Sequence, residues 1–283
     1  MADGDGGVTV VAVWTDDQCQ SIWCVSDTRV SSKQHTGAIR LTDNGTKLIA
    51  IPYTCREVST EPTIERTPFF WGALGFAFAG NTSAALFTAT TATTLFKELN
   101  VLSNQKYPLK MVELAALIGK IAKHYYLASM AAHNGSQSGA FEFIIFGVCA
   151  WSKRAEAYHI QFETVNSVVS YSVKNIDFEN TRYFAIGSGK SRLDEEISKI
   201  SEECEQRRPQ KAIQNIIRED ALDVGGYMSL GIASSFDIKI HWVPEEYQAG
   251  DPRAWRSFNG IDIDELGQAG NCFIGGPGMT KAA

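Results

Sequence analysis

Two charged residues, Asp27 and Arg29, close an apolar segment near the start of the chain. Residues 22–25 are predicted to form a strand, and residues two apart on a strand lie on the same face. Because an unpaired charge at the end of a buried strand is costly, these side chains must either be paired or take part in chemistry. A structural ion pair that closes the strand and a catalytic acid are therefore both open interpretations.

The elements around this pair are apolar strands. Residues 8–14 are apolar on both alternating faces, apart from Thr9, which is typical of a strand covered on both sides. Residues 15–21 are polar and turn the chain into residues 22–25. Residues 47–51 form another apolar strand, with Lys47 at its mouth. Thr9, the first hydroxyl residue of the chain, and Lys47 have plain alternatives, as a strand threonine without chemistry and a solvated lysine.

The rest of the chain alternates between groups of strands and pairs of helices. The predicted helices cover residues 81–100, residues that follow Pro108, residues 193–204 and residues that follow Pro209. Residues 53–70, which contain two prolines and mixed charges, are predicted to be an exposed loop. The remaining predicted strands are residues 37–41, 76–80, 141–151, 155–161, 168–173, 183–186, 227–233 and 238–242. This order predicts two packed sheets flanked by helix pairs.

Composition narrows the class of protein. Of the 283 residues, 44% are hydrophobic, and the net charge of −6 argues against nucleic acid and anionic membranes as partners. No apolar run approaches ~18 residues, so no transmembrane helix is expected. The N-terminus lacks the features of a signal peptide. The six cysteines and five histidines are dispersed, which predicts reduced thiols in a cytoplasmic protein, no metal site and no cofactor.

Several stretches, in order, resemble proteasome β-type subunits of the N-terminal-nucleophile (Ntn) hydrolase superfamily. The opening strand–turn–strand with its Ser-Asp-Thr-Arg ending is similar to the start of those subunits. Further similar stretches are TKLIAI around Lys47, Ala-Gly-Asn at residues 79–81, FGVCAWSKRAEAYHI, YFAIGSGKS around Ser188, and EDALDVGG at residues 219–226. The resemblance implies an α+β fold, a four-layered αββα sandwich, over residues 8–243. A flexible segment, residues 1–7, would precede it, and a Gly/Pro-rich tail or arm with little regular structure, residues 244–283, would follow.

The resemblance also implies roles for site residues. The nucleophile would be Thr9, whose hydroxyl attacks an amide once its own amine has been freed to act as the base. Lys47, held by Asp27, would lower the pKa of the nucleophile. The backbone amide of Gly80 would stabilise the oxyanion. Ser188 would support the site, although its Gly-Ser-Gly sequence is also typical of a simple turn and helix cap.

Two departures from the family pattern leave alternatives open. Aligning the first strand places Val8 at the nucleophile position, with Thr9 next to it on the opposite face. Val224 stands where the family has a serine before Gly-Gly, and the acid near it would be Asp220 or Asp223. The expected function is a subunit of a homo-oligomeric ring that cleaves peptides or proteins as a threonine peptidase. An inactive ring subunit and a small-molecule Ntn amidase are the alternatives.

Overall fold

The structure, a computed structural model, describes twelve segments of the chain. These are residues 9–16, 20–34, 37–57, 67–101, 107–134, 139–165, 168–201, 207–220, 224–241, 243–246, 254–270 and 272–274. Residues 1–7, predicted to be flexible, lie outside them, as do Val8 and Asp223.

The described residues form four helices and eighteen strands. The helices are α1 (Thr82–Leu95), α2 (Met111–Ala132), α3 (Lys190–Lys199) and α4 (Arg208–Arg218). The strands up to the second helix are β1 (Val11–Asp16), β2 (Ser21–Asp27), β3 (Val30–Gln34), β4 (Gly37–Thr42), β5 (Leu48–Glu57), β6 (Pro68–Gly80) and β7 (Leu99–Val101). The later strands are β8 (Phe141–Val148), β9 (Ala155–Val165), β10 (Val168–Asn175), β11 (Phe184–Ile186), β12 (Met228–Ser234), β13 (Asp237–His241), β14 (Val243–Glu246), β15 (Ala254–Phe258), β16 (Ile261–Asp262), β17 (Gln268–Ala269) and β18 (Cys272–Phe273).

A five-stranded antiparallel sheet carries the beginning of the chain, in the order β11-β1-β2-β12-β13. Strand β1 is buried on both faces, as its sequence predicts. Val10, Ala12 and Trp14 pack in one apolar cluster with residues of α3 and α4. Val11 and Val13 pack in another, which also holds residues of the second large sheet. The first strand is therefore covered by helices on one side and by a sheet on the other.

The second large sheet has six strands in the order β10-β9-β8-β6-β5-β7. Its strands share an apolar cluster with residues of α1 and α2. The threonine-rich α1 forms despite its β-branched residues because its N-cap, Asn81, accepts a hydrogen bond from the Ala84 amide (2.9 Å). The Thr88 hydroxyl also bonds inside the helix, to the Ala84 carbonyl (2.8 Å). The chain is thus a mixed α/β protein in which each large sheet packs against one helix pair and against the other sheet.

The predicted loop over residues 53–70 is wrong at both of its ends. Strand β5 continues to Glu57, and β6 begins at Pro68, so the strand predicted at residues 76–80 is much longer. The two strands stay paired as far as Arg56 and Pro68 because the side chains of Tyr53 and Cys55 are buried in the core. Pro68 is tolerated because it stands at the first position of its strand.

The region after residue 243 contains more regular structure than its composition predicts. Strands β14, β15 and β16 form a three-stranded sheet, and the β15–β16 turn is Asn259-Gly260. Both residues have positive φ, 51° and 83°, as a two-residue type I′ hairpin requires. The tip of this hairpin is buried: the Asn259 side chain donates to the Thr46 hydroxyl (3.1 Å) and accepts from the Ser229 hydroxyl. The arm therefore docks next to Lys47 through a polar turn.

Replacing Asn259 by glycine tests this docking contact, because glycine keeps the positive φ and removes only the side-chain bonds. We expect Asn259→Gly to lower the free energy of unfolding by about 1–3 kcal/mol, the cost of leaving buried hydrogen-bonding partners unsatisfied. The matched control is Asn134→Gly, at an exposed position with φ 52°, which should change it by less than about 0.5 kcal/mol. Urea denaturation measures both, and equal losses would contradict the docking.

Candidate active site

Asp27 ends β2 as a fully buried carboxylate surrounded by donors. Its Oδ1 accepts from the Val10 amide (3.1 Å) and from Lys47 Nζ (2.9 Å). Its Oδ2 accepts from the amides of Arg29 (3.2 Å) and Gly225 (3.3 Å). Four donors satisfy the carboxylate, which is what a buried charge requires. Asp27 thereby joins the ends of three separate chain segments at one point.

Lys47 lies just before β5 with its side chain 1% exposed, so it is not a solvated lysine. Its carbonyl accepts from the Phe78 amide (3.2 Å), which ties it to β6. Burial lowers the pKa of the Lys47 ammonium, and the opposing attraction of Asp27 does not fully compensate. Burial likewise raises the pKa of Asp27. The site therefore contains an amine that loses its proton more easily than an ordinary lysine.

Arg29 takes a different partner from the one that its spacing indicates. Its guanidinium bonds to Asp43 (Nε to Oδ1, 2.6 Å) and to Asp220, while Asp27 pairs with Lys47. Arg40 contacts the same two acids, at 3.2 and 3.0 Å. Among the contacts described, the Asp27 carboxylate binds Arg29 only through the backbone amide and not through the guanidinium. Arg29 and the three side chains Arg40, Asp43 and Asp220 form a charge network that adjoins the Asp27–Lys47 pair.

Asp220 is therefore placed in this network, with its side chain 64% exposed. Its hydrogen bond with Arg29 is the main reason that its pKa is lowered. Val224, in the position where a serine was expected, is fully buried in the cluster formed with α3 and α4. Its Cγ2 lies 2.8 Å from the point that a Cβ at Gly189 would occupy. An apolar methyl thus packs against the Gly-Ser-Gly turn where the family pattern has a hydroxyl.

The backbone of Thr9 is held by the turn at residues 187–189. The Gly189 amide donates to the Thr9 carbonyl (3.1 Å), and the Val10 carbonyl accepts from Asp27 (3.3 Å). Gly187 has φ +91°, and a Cβ there would lie 2.2 Å from the Thr9 carbonyl oxygen. Only glycine fits this contact. Continuing the alternation of β1 places the Thr9 side chain on the face of Val11, toward the second large sheet.

The structure places Ser188 and Gly80 at the same end of the sheets. Ser188 is exposed in the turn, and the next residue, Gly189, is the N-cap of α3, without a side-chain capping hydrogen bond. Gly80 ends β6 with φ +104°, and a Cβ there would meet the Ala140 carbonyl at 2.5 Å. Its neighbour Ala79 lies 3.2 Å from the Cβ position of Gly187. The strand end that carries Gly80 therefore adjoins the turn that holds Thr9.

Sequence reasoning missed two residues at this end, Glu142 on β8 and His159 on β9. Glu142 Oε1 accepts from the Gly187 amide (3.2 Å), and its Oε2 lies 2.7 Å from His159 Nε2. A usable signal was present for Glu142, because it is the one charged residue of an otherwise apolar strand. His159 gave no such signal, because β9 also contains Glu156, Gln161 and Glu163.

Within the described ranges, no group of three or more His, Cys, Asp or Glu side chains is arranged to hold a metal ion. None of the helices in this part of the chain combines the length and the apolar character needed to cross a membrane.

Solved structures of Anbu (ancestral beta-subunit) proteins share the fold of this chain. Anbu from Yersinia bercovieri matches with a TM-score of 0.51 and 14% identity, over 86% of this chain and 89% of that chain. A structure of the helical assembly of the Anbu complex from Pseudomonas aeruginosa matches with a TM-score of 0.54 and 15% identity, over 85% and 88%. No family model and no curated protein matches the sequence. At this level of identity the likeness concerns the fold alone.

Removing the Lys47 amine should be strongly destabilising, because it leaves the Asp27 carboxylate buried without its counter-ion. We expect Lys47→Ala to lower the free energy of unfolding by roughly 3–5 kcal/mol. Lys199→Ala is the control: Lys199 also pairs with acids, Glu195 (3.1 Å) and Glu196 (2.6 Å), but is exposed to solvent. Its loss should be as small as that of an ordinary surface pair. Similar losses in the two variants, measured by chemical denaturation, would show that the Lys47 pair is not buried.

Gly187→Ala tests the contact between the turn and Thr9. Alanine at Gly187 meets the Thr9 carbonyl, whereas Gly267, also at positive φ, has no atom within 4 Å of its Cβ position. Gly267→Ala should cost about 1–2 kcal/mol for the left-handed backbone alone. Gly187→Ala should cost more, since the turn must also move away from Thr9. Thermal and urea unfolding of both variants measure this difference, and its absence would count against the contact.

Proposed function

We propose that this protein is a proteasome-like subunit of the Ntn-hydrolase type that hydrolyses peptide bonds with Thr9 as its nucleophile. The observation that carries the proposal is the buried Asp27–Lys47 pair, whose carboxylate also binds the amide next to Thr9. The three apolar clusters, one between the sheets and one under each helix pair, support a four-layered αββα sandwich. The fold likeness to the Anbu structures supports the same family of functions.

The position of Thr9 supports its assignment over Val8. Its carbonyl is bound by Gly189, and the following amide, of Val10, is bound by Asp27. The strand alternation turns the Thr9 hydroxyl toward the second large sheet. Lys47 directly precedes β5, a strand of that sheet.

The chemistry requires that the chain first be cut before Thr9. Hydrolysis of the Val8–Thr9 bond consumes one water, releases residues 1–8 with a free carboxylate and leaves Thr9 with a free amine. The amine then takes the hydroxyl proton while the Thr9 oxygen attacks a substrate carbonyl, and it passes this proton to the leaving amine. Water hydrolyses the resulting ester and restores the threonine. Lys47 would stabilise the threonine alkoxide, and the Gly80 amide would stabilise the oxyanion.

Self-assembly is part of the proposal. One of the Anbu structures is of a helical assembly of that complex. In this chain, the outer surface of α1 and α2 exposes large apolar residues, among them Phe87, Leu95 and Leu127. Apolar residues on an outer helix surface favour contact with another subunit. We propose that copies of this chain form a closed ring through this surface.

An inactive ring subunit is the second candidate, and two residues favour it. Val224 packs against the Gly-Ser-Gly turn where a serine hydroxyl is expected. The bulky Val8 precedes the bond that must be cut, where the family has a small glycine. Such a subunit would keep the fold and the assembly but would not hydrolyse peptide bonds.

The experiment that separates these functions combines intact mass with peptide hydrolysis. The purified wild-type protein should lose residues 1–8 and cleave fluorogenic peptides, and Thr9→Ala should abolish both. Thr15→Ala, which removes a hydroxyl from the nearby strand β1, is the control and should retain both. Sedimentation velocity checks that all three proteins assemble equally. If the assembled wild-type protein keeps residues 1–8 and hydrolyses nothing, the peptidase proposal fails and the inactive subunit stands; hydrolysis of small amides by a monomer would instead identify an amidase.

A further inference from the structure

A carboxylate, Glu142, bridges the two large sheets at the end where Thr9 lies. On β8, Phe141 and Phe143 pack in the cluster shared with α1 and α2, whereas Ile144 and Phe146 pack in the cluster between the sheets. By the alternation of the strand, Glu142 faces the space between the sheets. Its side chain is 30% exposed, as expected at the mouth of that space. A charged residue at an inward position needs specific partners.

Glu142 has partners on both sheets. Within its own sheet, Oε2 bonds to Nε2 of His159 on β9, at 2.7 Å, and that ring is largely buried. The His159 ring also packs against Phe184 of β11, with ring centroids 5.2 Å apart. Across to the other sheet, Oε1 accepts from the amide of Gly187, the residue that follows β11. His159 thus fixes the carboxylate on one side, and the carboxylate fixes the turn on the other.

The turn transmits this contact to Thr9. Gly187 is bound by Glu142, and two residues later the Gly189 amide is bound to the Thr9 carbonyl. The backbone of Gly187 is also packed tightly against the same carbonyl. A hydrogen bond from an amide to an ionised carboxylate is stronger than one between neutral groups, so Glu142 is well suited to hold the turn.

We propose that Glu142 is a positioning residue for Thr9, acting through the turn at residues 187–189, and that His159 orients Glu142. The contact itself is independent of the proposed peptidase function; its effect on catalysis rests on that function. Loss of the Glu142 oxygens frees the Gly187 amide, and the Gly189 bond to Thr9 loosens with it. The nucleophile is then less well placed, while Lys47 and Asp27 keep their contacts.

Amide hydrogen exchange on the full-length protein, resolved to single residues by mass spectrometry, tests this directly. In Glu142→Ala, exchange at Gly187 and Gly189 should rise at least ~10-fold relative to wild type, corresponding to about 1.4 kcal/mol. Glu142→Gln keeps an oxygen that can accept from Gly187, so exchange should stay within about threefold of wild type. His159→Ala should give an intermediate rise. The control is Glu163→Ala, an exposed acid on β9, which should leave both amides unchanged.

Exchange of the α2 amides serves as an internal reference that separates a local change from general destabilisation. The proposal is overturned if Gly187 or Gly189 is unaffected in Glu142→Ala, or if α2 changes by the same factor. It is also overturned if Glu142→Gln behaves like Glu142→Ala. Where the wild type cleaves peptides, kcat should fall in Glu142→Ala with KM little changed, and Glu142→Gln should restore it. Absence of hydrolysis in every protein, with the exchange pattern as expected, would reject the peptidase function alone.

Discussion

The rest of this structure depends on the buried ion pair of Asp27 and Lys47. Taking two charges out of water costs several kcal/mol for each ion, and their mutual attraction offsets this only if the remaining hydrogen-bonding capacity is also satisfied. Here the amides of Val10, Arg29 and Gly225 supply that remainder. Each amide comes from a different part of the chain. The Asp27 carboxylate can therefore be buried favourably only when all three parts are folded around it.

This requirement explains why the surrounding backbone is so closely fitted. The Gly225 amide reaches Asp27 only because Gly225 has no side chain; a Cβ there would lie 2.4 Å from the Arg29 guanidinium carbon. Arg29 in turn is anchored by Asp43 and Asp220 outside the pair. The charge network around Arg29 thus supports the segment of Gly225, whose amide completes the hydrogen bonding of the Asp27–Lys47 pair. The position of Thr9 depends on both networks, because the next amide, that of Val10, binds Asp27.

Much of this arrangement is readable from the sequence, for definite physical reasons. Strand β1 could be predicted because both of its faces are apolar, and α2 because its apolar residues recur with helical spacing. The length of β6 could not be predicted, because Pro68 and nearby charges resemble a loop until β5 is seen to pair with it. Of the two acids that bind Arg29, Asp220 was equally hidden, since it lies 191 residues away. Glu142 was detectable as an inward polar residue, but its contact with Gly187 depends on how the two sheets face each other.

The buried hairpin tip of the C-terminal arm has a chemical consequence. In an Asn-Gly sequence the glycine nitrogen can attack the asparagine side chain, expel ammonia and leave, after hydrolysis, aspartate or isoaspartate. In the folded protein the Asn259 amide group is held by Thr46 and Ser229, and the Gly260 nitrogen donates to the Ser257 hydroxyl (3.1 Å). Both reactants are engaged, so this ageing reaction is slow until the arm detaches. Once it has occurred, redocking would bury a carboxylate whose partners at this position are only the neutral hydroxyls of Thr46 and Ser229, which is unfavourable. The ratio of asparagine to aspartate at position 259 therefore records how long the arm has spent away from the core.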